Sequence, residues 1–382
     1  MLRSGCYDAR MHPFWTRRAF MAVLAATAEA ADKPAVVPTE ARRFRDPATE
    51  FDLTRLTDPE RSNCWLPRPP LKSLSARSNS LLYASDRTGS VQGYRLDLRS
   101  GESRQLTDAR SMDPATLSWT PDERSLIYFD GADLNIAGRG DRTAYTVEPG
   151  WEHIAPYALS DTAQHAAVVE QRGGRYRVRV IGIRSRDART IFEASEPVRQ
   201  LRFRPKRASL LYNHNGGLWV VNLDGRASQR LPIAEGEAGD AHWSADGRIV
   251  HYLLAPKDRP RSVYLREYNL ETNEDKSIGM TTQFISFTRN GDSTVFAGVS
   301  RSQAAPYLLL LIRAASREMT VAEHKASDAS KTTVLFSPNS QRLYYHTDRE
   351  GKSAIYMIQL ERFIERTDDE ASSARFTRIY SS

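Results

Sequence analysis

The chain has 382 residues, of which 40% are hydrophobic and 26% charged, with a formal net charge of +7. That length can bury one large core or two ordinary domains without disulfide staples. No apolar run approaches the roughly 20 residues of a membrane-spanning helix, and the basic residues form no block that would serve as a nucleic-acid arm.

In chain order, the first element is TRRAFMAVLAATAEAAD, from Thr16 to Asp32. Two arginines, an apolar stretch and small residues around Ala28 and Ala30 follow the order of a cleavable signal peptide. The T-R-R-x-F arrangement matches a twin-arginine address, read by a receptor and not an anchor. Met11 is an alternative start, because the signal lies downstream of it. The expectation is an exported protein, periplasmic or extracellular, with residues 1–31 as the signal and 32–50 as a polar connector. The cysteines are Cys6 and Cys64. Cys6 leaves with the signal, so the mature chain has no internal disulfide.

From residue 51 onward the chain repeats itself. An aromatic residue or Leu is followed by a polar turn and an apolar strand: LSARSNSLLY from Leu74, WTPDERSLIY from Trp119, LSDTAQHAAV from Leu159 and FRPKRASLLY from Phe203. WSADGRIVHY from Trp243, FTRNGDSTVF from Phe287 and FSPNSQRLYY from Phe336 complete the set. Successive spacings are 45, 40, 44, 40, 44 and 49 residues. A third strand follows in several copies, as in Val91–Leu98, Tyr176–Ile183, Leu218–Asp224 and Ala354–Leu360. A fourth is visible at Glu102–Asp108 and Ser228–Ile233. Four strands in a unit of this period make a propeller blade.

The expected fold is therefore all-β: a seven-bladed β-propeller over residues 51–363, with four-stranded antiparallel blades. FDLTRLTD, Phe51–Asp58, matches the fourth-strand segment ESRQLTD but precedes the first repeat. The last repeat ends in polar sequence, so Phe51–Thr57 is expected to supply its fourth strand and close the ring. Residues 364–382 read as a polar tail. Rings of six or eight blades are the alternatives.

The blades lack Gly-His and Trp-Asp signatures and carry S/T-D-R turns instead, in ASDRTG (Ala84–Gly89) and HTDREG (His346–Gly351). Asp86, Arg87, Asp348 and Arg349 read as turn residues, the Asp capping the turn and the Arg pairing with it. The basic loops RPKR (Arg204–Arg207) and KDRPR (Lys257–Arg261) read as solvated. No nucleophile elbow, phosphate loop, dinucleotide fingerprint or paired-Cys motif is present.

The turns resemble those of TolB-type propellers. Three segments, FDLTRLTDP from Phe51, Leu81–Asp108 and FSPNSQRLYYHTDREGKSAIY from Phe336, resemble the oligogalacturonate lyase group of exported propellers more specifically. That resemblance implies β-elimination: a base takes the C5 proton of a uronate while a cation stabilises charge developing on the carboxylate. In the family a Q-x-x-H-P-H stretch before the last blade supplies metal ligands. Aligned on Phe336, those positions here are Asp328, Lys331 and Thr333, a poor set for a transition metal. A family histidine aligned on Trp243 falls at Asp240, with His242 two residues on. The family's base falls near Gln200 and its companion arginine near Gly217, and His324 matches a histidine that precedes the last blade.

The eight histidines, His12, His153, His165, His214, His242, His251, His324 and His346, form no H-x-H, H-x-x-H or H-E-x-x-H motif. His153 and His242 are placed to reach the channel mouth, whereas His165 and His251 read as sheet residues. Two functions follow. In the first, a non-catalytic propeller binds an acidic oligosaccharide or a cell-envelope protein through Gln200, Asp240, His242, His324, Lys331 or Thr333, as a monomer with no cofactor. In the second, an altered lyase uses Lys331 or His242 as base, with Mn or Ca on Asp240 or Asp328.

Overall fold

The computed structural model describes residues 36–364 apart from Arg139 and Arg362. The expected export signal and the tail beyond residue 364 lie outside these described residues. Seven antiparallel sheets succeed one another along the chain, each a blade. Blade 5 shows the pattern: Gly236–Trp243 is innermost, and Ile249–Pro256, Val263–Asn269 and Glu274–Thr281 follow outward. The inner strands of blades 2, 3, 4, 6 and 7 are Ser118–Trp119, Glu152–Leu159, Val198–Phe203, Phe284–Arg289 and Val334–Phe336. The second strands are the most apolar because both of their faces are covered by neighbouring blades. The core accordingly sits between blades. Leu211, Leu218 and Leu231 of blade 4 pack with Val250, Tyr252 and Tyr268 of blade 5.

The recurring polar turn after each inner strand has one mechanism. In blade 5 the Ile249 amide donates to Ser244 Oγ at 3.0 Å, Ser244 Oγ donates to Asp246 at 2.6 Å, and the Arg248 amide donates to Asp246 at 3.1 Å. Each of the seven turns places one residue at positive φ: Ser78, Glu123, Ala163, Lys206, Gly247, Ser293 and Ser340. Six of these carry a Cβ against the left-handed preference. Because that conformation costs an L-residue about 1–2 kcal/mol, Ala163→Gly is expected to stabilise the fold by about 1 kcal/mol after the entropy of glycine is counted. A rise in the urea midpoint checks this; an unchanged or lower midpoint contradicts it.

Ring closure follows the sequence expectation. Asp52–Arg55 adds to the last blade, with Leu53 opposite Ile358 and Arg55 opposite Tyr356. The segment read as a polar connector, residues 32–50, goes further. Arg42–Arg45 adds a fifth strand to blade 7, and Val36–Val37 adds a fifth to blade 1 against Ser103–Gln105. Between them Glu40 receives both terminal nitrogens of Arg87 at 3.0 Å and the Asp58 amide at 3.0 Å. Asp46, fully buried, is paired with Arg349 at 3.0 Å. Arg87 and Arg349 thus clasp the N-terminal segment instead of pairing with Asp86 and Asp348. Those two aspartates accept from the loop that enters the inner strand: Asp86 from the Asn63 amide at 2.8 Å, and Asp348 from the Ser327 amide at 2.9 Å.

Blade 1 departs from the repeat. Its inner strand is Cys64–Trp65, paired with Ser85 and Ala84, and Leu74 makes only an isolated bridge to Leu81. Residues 66–73 interrupt it as a strap. The Pro69 carbonyl accepts from Arg202 of blade 4 at 2.7 Å, Arg68 donates to the Ser330 carbonyl before blade 7 at 3.3 Å, and Leu71 packs with Phe129 and Tyr157 of blades 2 and 3. A strap held by blades on several sides of the ring crosses its axis.

Candidate ligand site on the propeller axis

The inner strands of blades 3 to 6 each carry an irregularity in register, between Ile154 and Ala158, Arg199 and Arg202, Ala238 and Ala241, and Phe284 and Ser286. Such bulges re-aim side chains. In blades 4 and 5 they accompany a polar trio. Arg202 donates from Nη2 to Asp240 Oδ1 at 3.4 Å, from Nε to the Ala241 carbonyl at 3.2 Å and from Nη1 to the Pro69 carbonyl. Asp240 Oδ2 accepts from His242 Nε2 at 3.0 Å and from the Phe287 amide of blade 6 at 3.1 Å. Burial alone would raise the Asp240 carboxyl, but His242, Arg202 and the Phe287 amide outweigh it and hold the group below the usual carboxylate range. Burial pushes His242 down despite Asp240 beside it. His242 is therefore neutral at neutral pH, with Nε2–H given to Asp240 and Nδ1 left as the acceptor nitrogen.

His242 and Arg202 line a cavity of about 480 Å³ at the mouth where the inner strands end. Phe203, Trp243, Arg289 and Phe336, each the last residue of its inner strand, also line it. Its cations are Lys72, Arg202 and Arg289, and its acid is Asp161. Arg289 is anchored by the carbonyls of Trp243 at 2.9 Å and of Asn290 and Gly291 at 3.0 Å. Lys72, at the rim, lies 2.8 Å from Glu123. Ser73, on the same wall, has a buried hydroxyl with no hydrogen-bond partner.

The structure joins Asp240 and His242 and sets the other candidates apart. His242 is the penultimate residue of its inner strand, beside the mouth where the strands end. Gln200 sits in the blade 4 bulge at φ +58, its Oε1 buried without a partner. Lys331 and Asp328 form an exposed pair at 3.8 Å around the turn Ala329–Lys331, and Asp328 Oδ1 accepts from Ser330 N at 2.9 Å and Ser330 Oγ at 2.6 Å. Thr333 is buried, and its carbonyl accepts from the His346 amide at 3.3 Å. His324 is a structural cap: Nε2 donates to the Ser300 carbonyl at 2.8 Å and Nδ1 accepts from the Ala326 amide at 3.1 Å. His165 and His251 lie in second strands, as expected. His153 is the second residue of the blade 3 inner strand, stacked on Phe129 at 4.0 Å and 3.6 Å from Asp113.

A divalent metal does not fit this donor set. Asp328 and Lys331 neutralise each other, Thr333 is buried, and both oxygens of Asp240 already accept hydrogen bonds. Among the described residues no three His, Cys, Asp or Glu side chains converge as metal ligands. Lys72, Arg202 and Arg289 were not singled out by sequence. Arg202 had one readable signal, a cation set between Leu201 and Phe203 on an inner strand.

Seven sheets closed by the N-terminal segment define a seven-bladed β-propeller, with a polar trio and a cationic cavity at the mouth where its inner strands end. No protein-family model matches the sequence, and no curated protein matches it. Among solved structures, the chain is similar to an oligogalacturonate lyase in complex with manganese, with a TM-score of 0.80 at 21% identity over 86% of this chain and 98% of that one. It is similar to the oligogalacturonate lyase of Vibrio parahaemolyticus, with a TM-score of 0.79 at 20% identity over 87% and 99% of the two chains. TolB from Acinetobacter baumannii gives 0.48 at 10% identity over 75% and 78%. At these identities the likeness to the two lyases is one of fold.

Proposed function

We propose that the protein binds an acidic oligosaccharide, of the oligogalacturonate class, in the axial cavity without cleaving it. The observation that carries this is the cavity lining: Lys72, Arg202 and Arg289, the first two shared with Glu123 and Asp240, and a neutral imidazole, beside the rings of Phe203, Trp243 and Phe336. Cations suit uronate carboxylates, and aromatic faces suit the apolar face of a sugar ring. The export signal expected from the sequence would place such binding in the envelope or outside the cell.

Lys72→Glu is expected to weaken digalacturonate binding about tenfold at low salt, and added salt should weaken wild-type binding further. Calorimetry at two ionic strengths checks both effects. Binding that is indifferent to Lys72 and to salt would remove the site.

One observation favours a second reading. Asp240 orients His242 so that an acceptor nitrogen remains on a cavity-lining imidazole. In that reading His242 takes the C5 proton of a uronate, the C4=C5 double bond forms, and the C4–O bond breaks with its oxygen taking a proton. Growth of the unsaturated product's absorbance, abolished in His242→Gln, would establish it over simple binding.

A further inference from the structure

The axial cavity does not end at its own wall. Asp161, in the turn after the blade 3 inner strand, also lines a second cavity of about 470 Å³. This cavity is a radial trough between blades 2 and 3. Its near end is built from the turns after the two inner strands, with Asp122 and Arg124 from blade 2 and Asp161 from blade 3. Its far end is built where the third strands of the same blades give way to the fourth, with Arg142 and Arg184. Its floor includes Ile136 and Ile183, both buried.

The charges in the trough are unevenly engaged. Asp122 Oδ1 accepts from Thr120 Oγ1 at 2.6 Å and from the Arg124 amide at 3.2 Å. Those bonds hold its carboxyl below the usual range. Asp161 Oδ2 accepts from the Lys206 amide at 3.0 Å. Asp122 is thus engaged by its own turn, and Asp161 by the turn of the next blade. Arg142 makes a 3.3 Å bond to the Gly140 carbonyl, and the side chains of Arg124 and Arg184 are exposed. One guanidinium group, of Arg124, stands at the near end and two, of Arg142 and Arg184, at the far end, above a partly apolar floor.

We infer that this trough is an extension of the axial site, a set of subsites for the remainder of an acidic oligosaccharide whose end occupies the axial cavity. The inference rests on the axial reading given above. The strap across the axis supports the same geometry: it crosses the direct path through the ring, and the trough gives a chain held at the mouth a lateral path. Arg124, Arg142 and Arg184 would meet successive carboxylates, so affinity should grow with ligand length.

The test uses the full chain with digalacturonate and hexagalacturonate in parallel titrations. Wild type should bind the hexamer roughly tenfold tighter than the dimer, since each exposed ion pair contributes a small factor and several act together. The double variant Arg124→Glu/Arg184→Glu, on exposed turns, should keep its thermal unfolding and its dimer affinity and lose the length advantage. Equal affinity for the two lengths in wild type, or equal weakening of both in the double variant, would overturn the trough. If neither oligomer binds, the axial reading falls and takes the trough with it. Hexamer binding that depends on the two arginines but not on Lys72 would overturn the proposal that the chain starts on the axis.

Discussion

Arg202→Met should destabilise the propeller by about 3–5 kcal/mol, because it strips the buried Asp240 carboxylate of its guanidinium. Asp240 is 7% exposed, and its remaining partners are His242 and the amides of Ala241 and Phe287. The loss should be strongest at neutral pH, where His242 is neutral and supplies no countercharge. The double variant Arg202→Met/Asp240→Asn should recover much of the stability, since it removes both charges and leaves an amide that can still accept from the Phe287 amide. Urea unfolding of the wild type, both single variants and the double variant measures the coupling. An additive double variant would mean that Arg202 and Asp240 do not act as a pair.

Acidification from about pH 6.5 toward about 4 should destabilise the protein through its buried histidines. Burial is the main cause that lowers His346 from 6.5 to about 4, with Arg68 of the strap adding to it. Its Nδ1 accepts from the Leu66 amide at 3.2 Å, a bond that protonation breaks. A histidine with a depressed pKa binds its proton more readily in the unfolded chain. The stability it contributes is therefore complete above about pH 6.5 and is lost as pH falls toward about 4. Over that window the shift corresponds to about 3 kcal/mol. His242, His251 and His324, also lowered chiefly by burial, act in the same direction. Chemical denaturation between about pH 7 and about pH 4 should show this slope, and His346→Asn, whose carbonyl can replace Nδ1 as acceptor, should flatten it. An unchanged slope in that variant would remove His346 as the cause.

The blades were legible because their signal is local and repeated. A turn such as WSADGR and an apolar strand such as IVHYLLAP declare themselves seven times over, and the match between FDLTRLTD and ESRQLTD announced the closing strand. The strap was not legible. SNCWLPRPPLKS has neither strand alternation nor the repeat's turn, and its position is set by contacts to other blades. The clasp was hidden for a similar reason: Arg87 and Arg349 sit in turns that local chemistry already explains, and their partners Glu40 and Asp46 lie far away in the chain. At the site, Asp240 and His242 were found through an alignment to relatives whose own ligands are absent here. Arg202, Lys72 and Arg289 become neighbours only when the ring closes, and no local spacing records that.

The sharing of one blade between the two ends of the chain has a consequence for synthesis. Arg42–Arg45 and Asp52–Arg55 are made before blades 2 to 6, yet the Lys352–Gln359 strand they pair with is made after them. Throughout translation the early strands are open edges, able to pair with the wrong neighbour. Blades 2 to 6 can form as each is completed, whereas blade 7 must wait until residue 359 has been made. The last contact to form is then also the one that seals the ring, so a ribosome-bound or C-terminally shortened chain is a propeller with an unsatisfied seam. Whatever holds those first strands apart from other chains until residue 359 appears governs the yield of closed rings.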